Sequence, residues 1–142
     1  MKKIRYNSWI ANHLLFKGYS TITIAAWVCT RYRNKSEMPQ RVRNHECTHA
    51  RQWCECMLAS GVIIWILVLL AGISAWWFAL SFGMFYILYV LEWLVKLCFY
   101  GTEAYRNISF EREANAGEDD ETYLENSGYF EWVKYLKGGG NG

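Results

Sequence analysis

From Met57 to Leu91 the chain reads MLASGVIIWILVLLAGISAWWFALSFGMFYILYVL, 35 residues without one charged side chain. As a single helix rising 1.5 Å per residue this run would measure roughly 52 Å, far more than a bilayer's hydrocarbon core of about 30 Å. Carried past Glu92 and Lys96 to Tyr100, the segment has 44 residues, enough for two spans of about 20 each. The run therefore predicts a transmembrane helical hairpin over 57–100 that breaks around Gly72–Trp77, with Trp76 and Trp77 at the far interface. A buried core hairpin of a soluble domain is the competing reading, and it is disfavoured because charge-free runs of this length are rare outside membranes.

The charges divide on either side of that run. Residues 1–56 carry 10 Lys/Arg against Glu37, Glu46 and Glu55, a net of +7, whereas residues 97–142 carry 4 Lys/Arg against 9 Asp/Glu, a net of −5. A hairpin returns the chain to its starting side, and none of the 15 Lys/Arg lies in the turn between the spans. The positive-inside rule then puts both termini in the cytoplasm. Five cysteines (Cys29, Cys47, Cys54, Cys56 and Cys98) form no disulfide framework and suit a reducing compartment. No signal peptide is expected, because Asn12, His13 and Lys17 interrupt the apolar stretch behind Lys2, Lys3 and Arg5. With 53% hydrophobic and 18% aromatic residues, overall disorder is excluded.

The expected organisation is an N-terminal cytoplasmic part over 1–56, the hairpin over 57–100 and C-terminal cytoplasmic helices over 101–142, acting as one functional domain. Within it, residues 8–17 predict a short helix behind Ser8 as N-cap, placing Trp9, Leu14 and Phe16. Residues 20–33 are rich in Thr, Ile, Val and Trp and read as a strand. After a loop over 34–40, a helix from Gln40 or Arg41 runs straight into the first span. The second span emerges near Cys98–Gly101. Ser109 is the candidate N-cap of a further helix with Glu111 in its first turn. Residues 117–121 (GEDDE) read as an acidic solvated break, 121–137 as a last amphipathic helix, and GGGNG as a flexible end. The fold class is mainly α and membrane-integrated, with a small α+β cytoplasmic part containing a short strand or sheet.

Two of the three histidines fall in His45-Glu46-Cys47-Thr48-His49, the H-E-x-x-H pattern. Residues four apart share one face of a helix, so both imidazoles can converge on a single zinc ion. Glu46 is rotated about 100° from His45, which suits it to act on the water beside the metal as general base and then as proton donor to a leaving amine. A catalytic zinc wants three protein ligands and one open position. His13 lies in a different predicted helix, and Trp53-Cys54-Glu55-Cys56 occupies the stretch just beyond His49. The third ligand must then be a carboxylate from beyond the hairpin, and Glu103 stands too near the membrane end.

HECTH followed by Glu111-Arg112-Glu113-Ala114 resembles the gluzincin clan of metallopeptidases, including the very small minigluzincins. Its placement across a hairpin is similar to the membrane-integrated zinc proteases of the CAAX-prenyl and heat-shock type. The resemblance implies a zincin-like fold and a zinc metalloendopeptidase acting on peptides or proteins at the cytoplasmic face, membrane-anchored ones included. In that group the first Glu of E-x-x-A-D ligates zinc and the Ala lets two helices approach closely. Carried over, the metal ligands are His45, His49 and Glu111, with Glu113 the alternative third ligand. The pattern's Asp is Asn115 here, which can hydrogen-bond a ligating His without adding charge.

Lesser features fill out the expectation. An exposed strand edge within 21–31 would align an extended peptide as one more strand. Tyr105 and Tyr123 are candidate oxyanion donors. Cys54-Glu55-Cys56 reads as packing. Arg31, Arg33, Lys35, Arg41, Arg43 and Arg51 read as facing anionic lipid headgroups, so no nucleic-acid partner is expected. The alternative function is a non-catalytic membrane interaction protein with a structural or degenerate zinc site. A pore-forming peptide is a third class, for which no property would depend on zinc.

Overall fold

The computed structural model describes residues 3–15 and 18–137. The expectations for Phe16, Lys17 and the GGGNG end lie outside the described residues. The architecture is mostly helical with one three-stranded sheet, and it divides into two compact units: residues 1–51 with 113–128, and residues 52–112 with 129–142.

In the first unit the sheet comprises β1 (Lys3–Arg5), β2 (Thr21–Ile24) and β3 (Trp27–Thr30) in the order β1-β3-β2. β1 runs parallel to β3 with Ile4 opposite Val28, and β2 runs antiparallel to it with Ile22 opposite Cys29. The single strand expected over 20–33 is thus a hairpin. Its turn is Ala25-Ala26, with Ala25 at φ 54°. Neither residue is the Gly or Asn that ordinarily marks such a reversal. α1 (Trp9–Leu14) is shorter than expected, because Leu15 turns extended. Ser8 precedes α1 without a side-chain cap bond, and its carbonyl accepts from Asn12 N–H at 3.0 Å.

α2 runs without interruption from Gln40 to Ala71, so 32 residues give a rod of roughly 48 Å. Its first turns close the core of this unit, where Val28, Met38 and Cys47 are buried against Ile4, Tyr32 and Val42. Val28 of β3 thus shares one buried cluster with Val42, Cys47 and Ala50 of α2, which is how the segment carrying the two histidines is held.

The second unit contains the rest of α2 and its return. Gly72 ends the helix at φ 64°, the left-handed geometry that glycine adopts without penalty. Ser74 then starts a 3-10 turn over Ala75–Trp77, its hydroxyl accepting from Trp76 N–H at 3.3 Å. α3 follows (Phe78–Tyr100) and stops at Gly101, φ 54°. Trp53 Nε1–H donates to the Phe82 carbonyl at 3.0 Å, and Ser60, Ile64, Ser81 and Phe85 are buried in this unit. Most other side chains of the two helices face outward, among them Leu58, Val62, Leu70, Phe82 and Val95. Both helices are long and apolar enough to cross a membrane, and only 22% and 11% of their most apolar windows are buried.

α4 spans Ser109–Gly117. Ser109 does not cap it in the expected way: its N–H and hydroxyl both go to the Glu92 carboxylate, at 2.8 and 2.6 Å. The amphipathic helix expected over 121–137 is instead α5 (Tyr123–Asn126) and a 3-10 turn over Glu131–Tyr135. Ser127-Gly128 and the left-handed Phe130, φ 59°, interrupt it.

Candidate metal centre

His45 and His49 project from one face of α2, their Nε2 atoms 3.1 Å apart and their rings nearly perpendicular at 83°. His49 is buried and His45 half-buried. α4 is tied to α2 within each unit. In one, the fully buried Gln52 donates Nε2–H to the Phe110 carbonyl at 3.0 Å. In the other, Arg51 Nη2 meets Glu113 Oε1 at 2.7 Å. Phe110 is buried against Phe85 and Trp132, with ring centroids 4.9 and 4.6 Å away. Glu111 is buried beside it and accepts the Tyr89 hydroxyl at 2.6 Å.

His45, His49 and Glu111, although His49 and Glu111 stand 62 positions apart, each offer one ligand atom within 4.8 Å of the others. Two imidazole nitrogens and a carboxylate oxygen can hold a metal ion. Glu113 is engaged elsewhere. It has no exposed surface, pairs with Arg51 and accepts the Tyr123 hydroxyl at 3.2 Å. Asn115 is exposed to solvent.

Glu46 is half-buried on α2, and its Oε2 accepts the Thr23 hydroxyl of β2 at 2.6 Å. Tyr123 is turned to Glu113, with the Arg51 guanidinium 5.5 Å from its ring centroid, and Tyr105 is exposed. His13 lies in α1 with Nδ1 at 2.9 Å from the Trp9 carbonyl. Of the arginines expected at a lipid surface, Arg31 donates to the Ala11 and Leu15 carbonyls and Arg51 to Glu113 and Ser127.

Three contributors escaped the sequence reading. Tyr89, on an apolar segment, carried no signal for its bond to Glu111. Glu92 and Lys96 did carry one, since an i, i+4 ion pair inside an apolar helix is rarely idle. Their 2.7 Å contact is buried, and Lys96 also donates to the Asn107 carbonyl. The third is Glu118, inside the segment expected to be a solvated break. Its Oε2 lies 3.4 Å from His45 Nδ1, its Oε1 pairs with Arg41, and Asn44 Nδ2–H donates to the Glu118 and Asp120 carbonyls at 3.2 and 2.9 Å.

No protein-family model matches the chain, and neither a curated protein nor a solved structure matches it.

Proposed function

We propose that the chain is a small integral-membrane zinc metallopeptidase of gluzincin type. The observation that carries the reading is the approach of Glu111 to the His45–His49 pair, although α3 and most of α2 lie between them in sequence. Two passes through a bilayer return the chain to its starting side, and the outward apolar side chains of both helices favour lipid over a protein core as their surroundings. Lys and Arg lie in the flanks and none in the turn between the spans, which favours the cytoplasm as that side.

The donor set suits zinc. Tetrahedral zinc with bonds of about 2.0–2.1 Å to imidazole holds neighbouring donor atoms about 3.3 Å apart, against 3.1 Å between the two Nε2 atoms here. His45, His49 and Glu111 would hold the ion and leave a fourth position open. When bound, zinc supplies Lewis acidity, which polarises a carbonyl and makes water acidic enough to lose a proton near neutral pH.

The remaining roles fall to the chain's own side chains. Glu46 takes the proton of the attacking water as the new C–O bond forms, then gives it to the amine nitrogen as the C–N bond breaks. Thr23 fixes the rotamer of that carboxylate through its 2.6 Å bond. β2 is an edge strand, and an extended peptide laid along it would gain main-chain hydrogen bonds. Peptides or proteins near the cytoplasmic membrane surface are the substrate class this favours.

Metal analysis of the detergent-purified full chain tests the proposal. Wild-type and Glu46→Gln protein are expected to carry equimolar zinc, His49→Ala and Glu111→Ala to lose it, and Glu46→Gln to lose peptide hydrolysis. Zinc retained by both ligand variants would sink the centre. Zinc bound without any hydrolysis in the wild type would favour the structural-site alternative.

A further inference from the structure

The Nε2 atoms of His45 and His49 face one another, so a shared metal is approached through Nε2 and His45 Nδ1 is left to the protein. What meets Nδ1 is Glu118 Oε2, at 3.4 Å, with the Glu118 side chain only 12% exposed. The gluzincin pattern would draw a carboxylate from the position of Asn115, but that residue faces solvent.

We propose that Glu118 is the positioning residue of the metal centre: its carboxylate holds the proton of His45 on Nδ1 and so directs the Nε2 lone pair to the metal. The inference rests on the zinc reading above. A ligating imidazole that donates its other N–H to a carboxylate has a fixed tautomer, a fixed ring orientation and greater basicity.

The surroundings of Glu118 suit this role. Asn44, one residue before His45, is buried and bonds the carbonyls of Glu118 and Asp120. The loop after α4 is therefore held by the same turn of α2 that carries the ligand. Arg41 engages the other carboxylate oxygen and leaves Oε2 directed to His45, while Asp119 stands 3.6 Å from Arg41. Arg41 itself is 64% exposed, so solvent screens its pair with Glu118.

A purely structural role would have Glu118 strap the loop to α2 through Arg41. The two roles separate when zinc affinity is measured by chelator competition on the detergent-solubilised full chain, with Co2+ absorption reporting ligand geometry. E118Q is expected to weaken zinc binding about tenfold and E118A up to about a hundredfold, with an altered Co2+ spectrum. R41A is expected to bind zinc as the wild type does. Affinity of E118A within about twofold of the wild type would overturn the role. So would R41A weakening zinc as much as E118Q does, because the strap alone would then account for the effect. A wild type that binds no zinc would remove the centre and this role together, whereas zinc binding indifferent to Glu118 would remove this role alone.

Discussion

Glu111 and Glu113 are two positions apart on α4, so about 200° of helical rotation separates them. Glu113 is sealed against Arg51 and the Tyr123 hydroxyl. Removing one member of a buried pair leaves the other charge without its partner, at a cost of about 3–5 kcal/mol. Glu113→Ala should therefore lower the unfolding free energy by that amount in denaturant titration. Glu111→Ala should instead lose metal and cost the metal-free chain less, about 1–3 kcal/mol, because the Tyr89 hydroxyl loses a buried acceptor. Gly117 is constrained from the same side, since a Cβ there would lie 2.3 Å from the Tyr123 ring. Gly117→Ala should cost about 1–3 kcal/mol through that overlap, read as a fall in melting temperature. The His45–His49 pair was legible because helical periodicity alone aligns residues four apart. The choice between Glu111 and Glu113 was not, because Tyr89 and Glu92 set how the chain re-enters and both lie outside the motif.

Each element boundary that was legible had a residue with a local cause. Gly72 and Gly101 end their helices at positive φ, and both fall where the hydropathy placed the breaks. The β2–β3 turn had no such residue, since Ala25 adopts φ 54° only because the pairing on either side demands it. Left-handed geometry costs an L-residue roughly 1–2 kcal/mol, part of which glycine recovers. Ala25→Gly should accordingly stabilise the chain by up to about 1 kcal/mol, measured as a rise in the unfolding midpoint. The start of α4 depends on α3 in another way, because both donors of Ser109 end on Glu92. Glu92→Ala should release that end and weaken zinc binding about tenfold, with helix content preserved by circular dichroism. The last segment misled for a complementary reason. Its apolar spacing suggested one helix over 121–137, but Phe130 at φ 59° breaks the chain between α5 and the final 3-10 turn.

For the whole chain, charge and hydropathy were legible because they are sums over many residues, which no single contact can overturn. Glu118 lay beyond such sums: its proximity to His45 joins positions 73 apart. Topology supplies its own test. Tags at both termini should be cleaved by protease applied from the cytoplasmic side, and Ser74→Cys should react with an impermeant maleimide only from the opposite side. The reverse pattern would invert the orientation. Glu92 and Lys96 bear on how such a chain is made. Because the two are one turn apart on α3, their pair closes as soon as that helix coils, before α4 has left the ribosome. Under the proposed membrane-spanning reading, that segment would enter lipid as an electrically neutral rod, with its acid already matched while Ser109 is still to arrive.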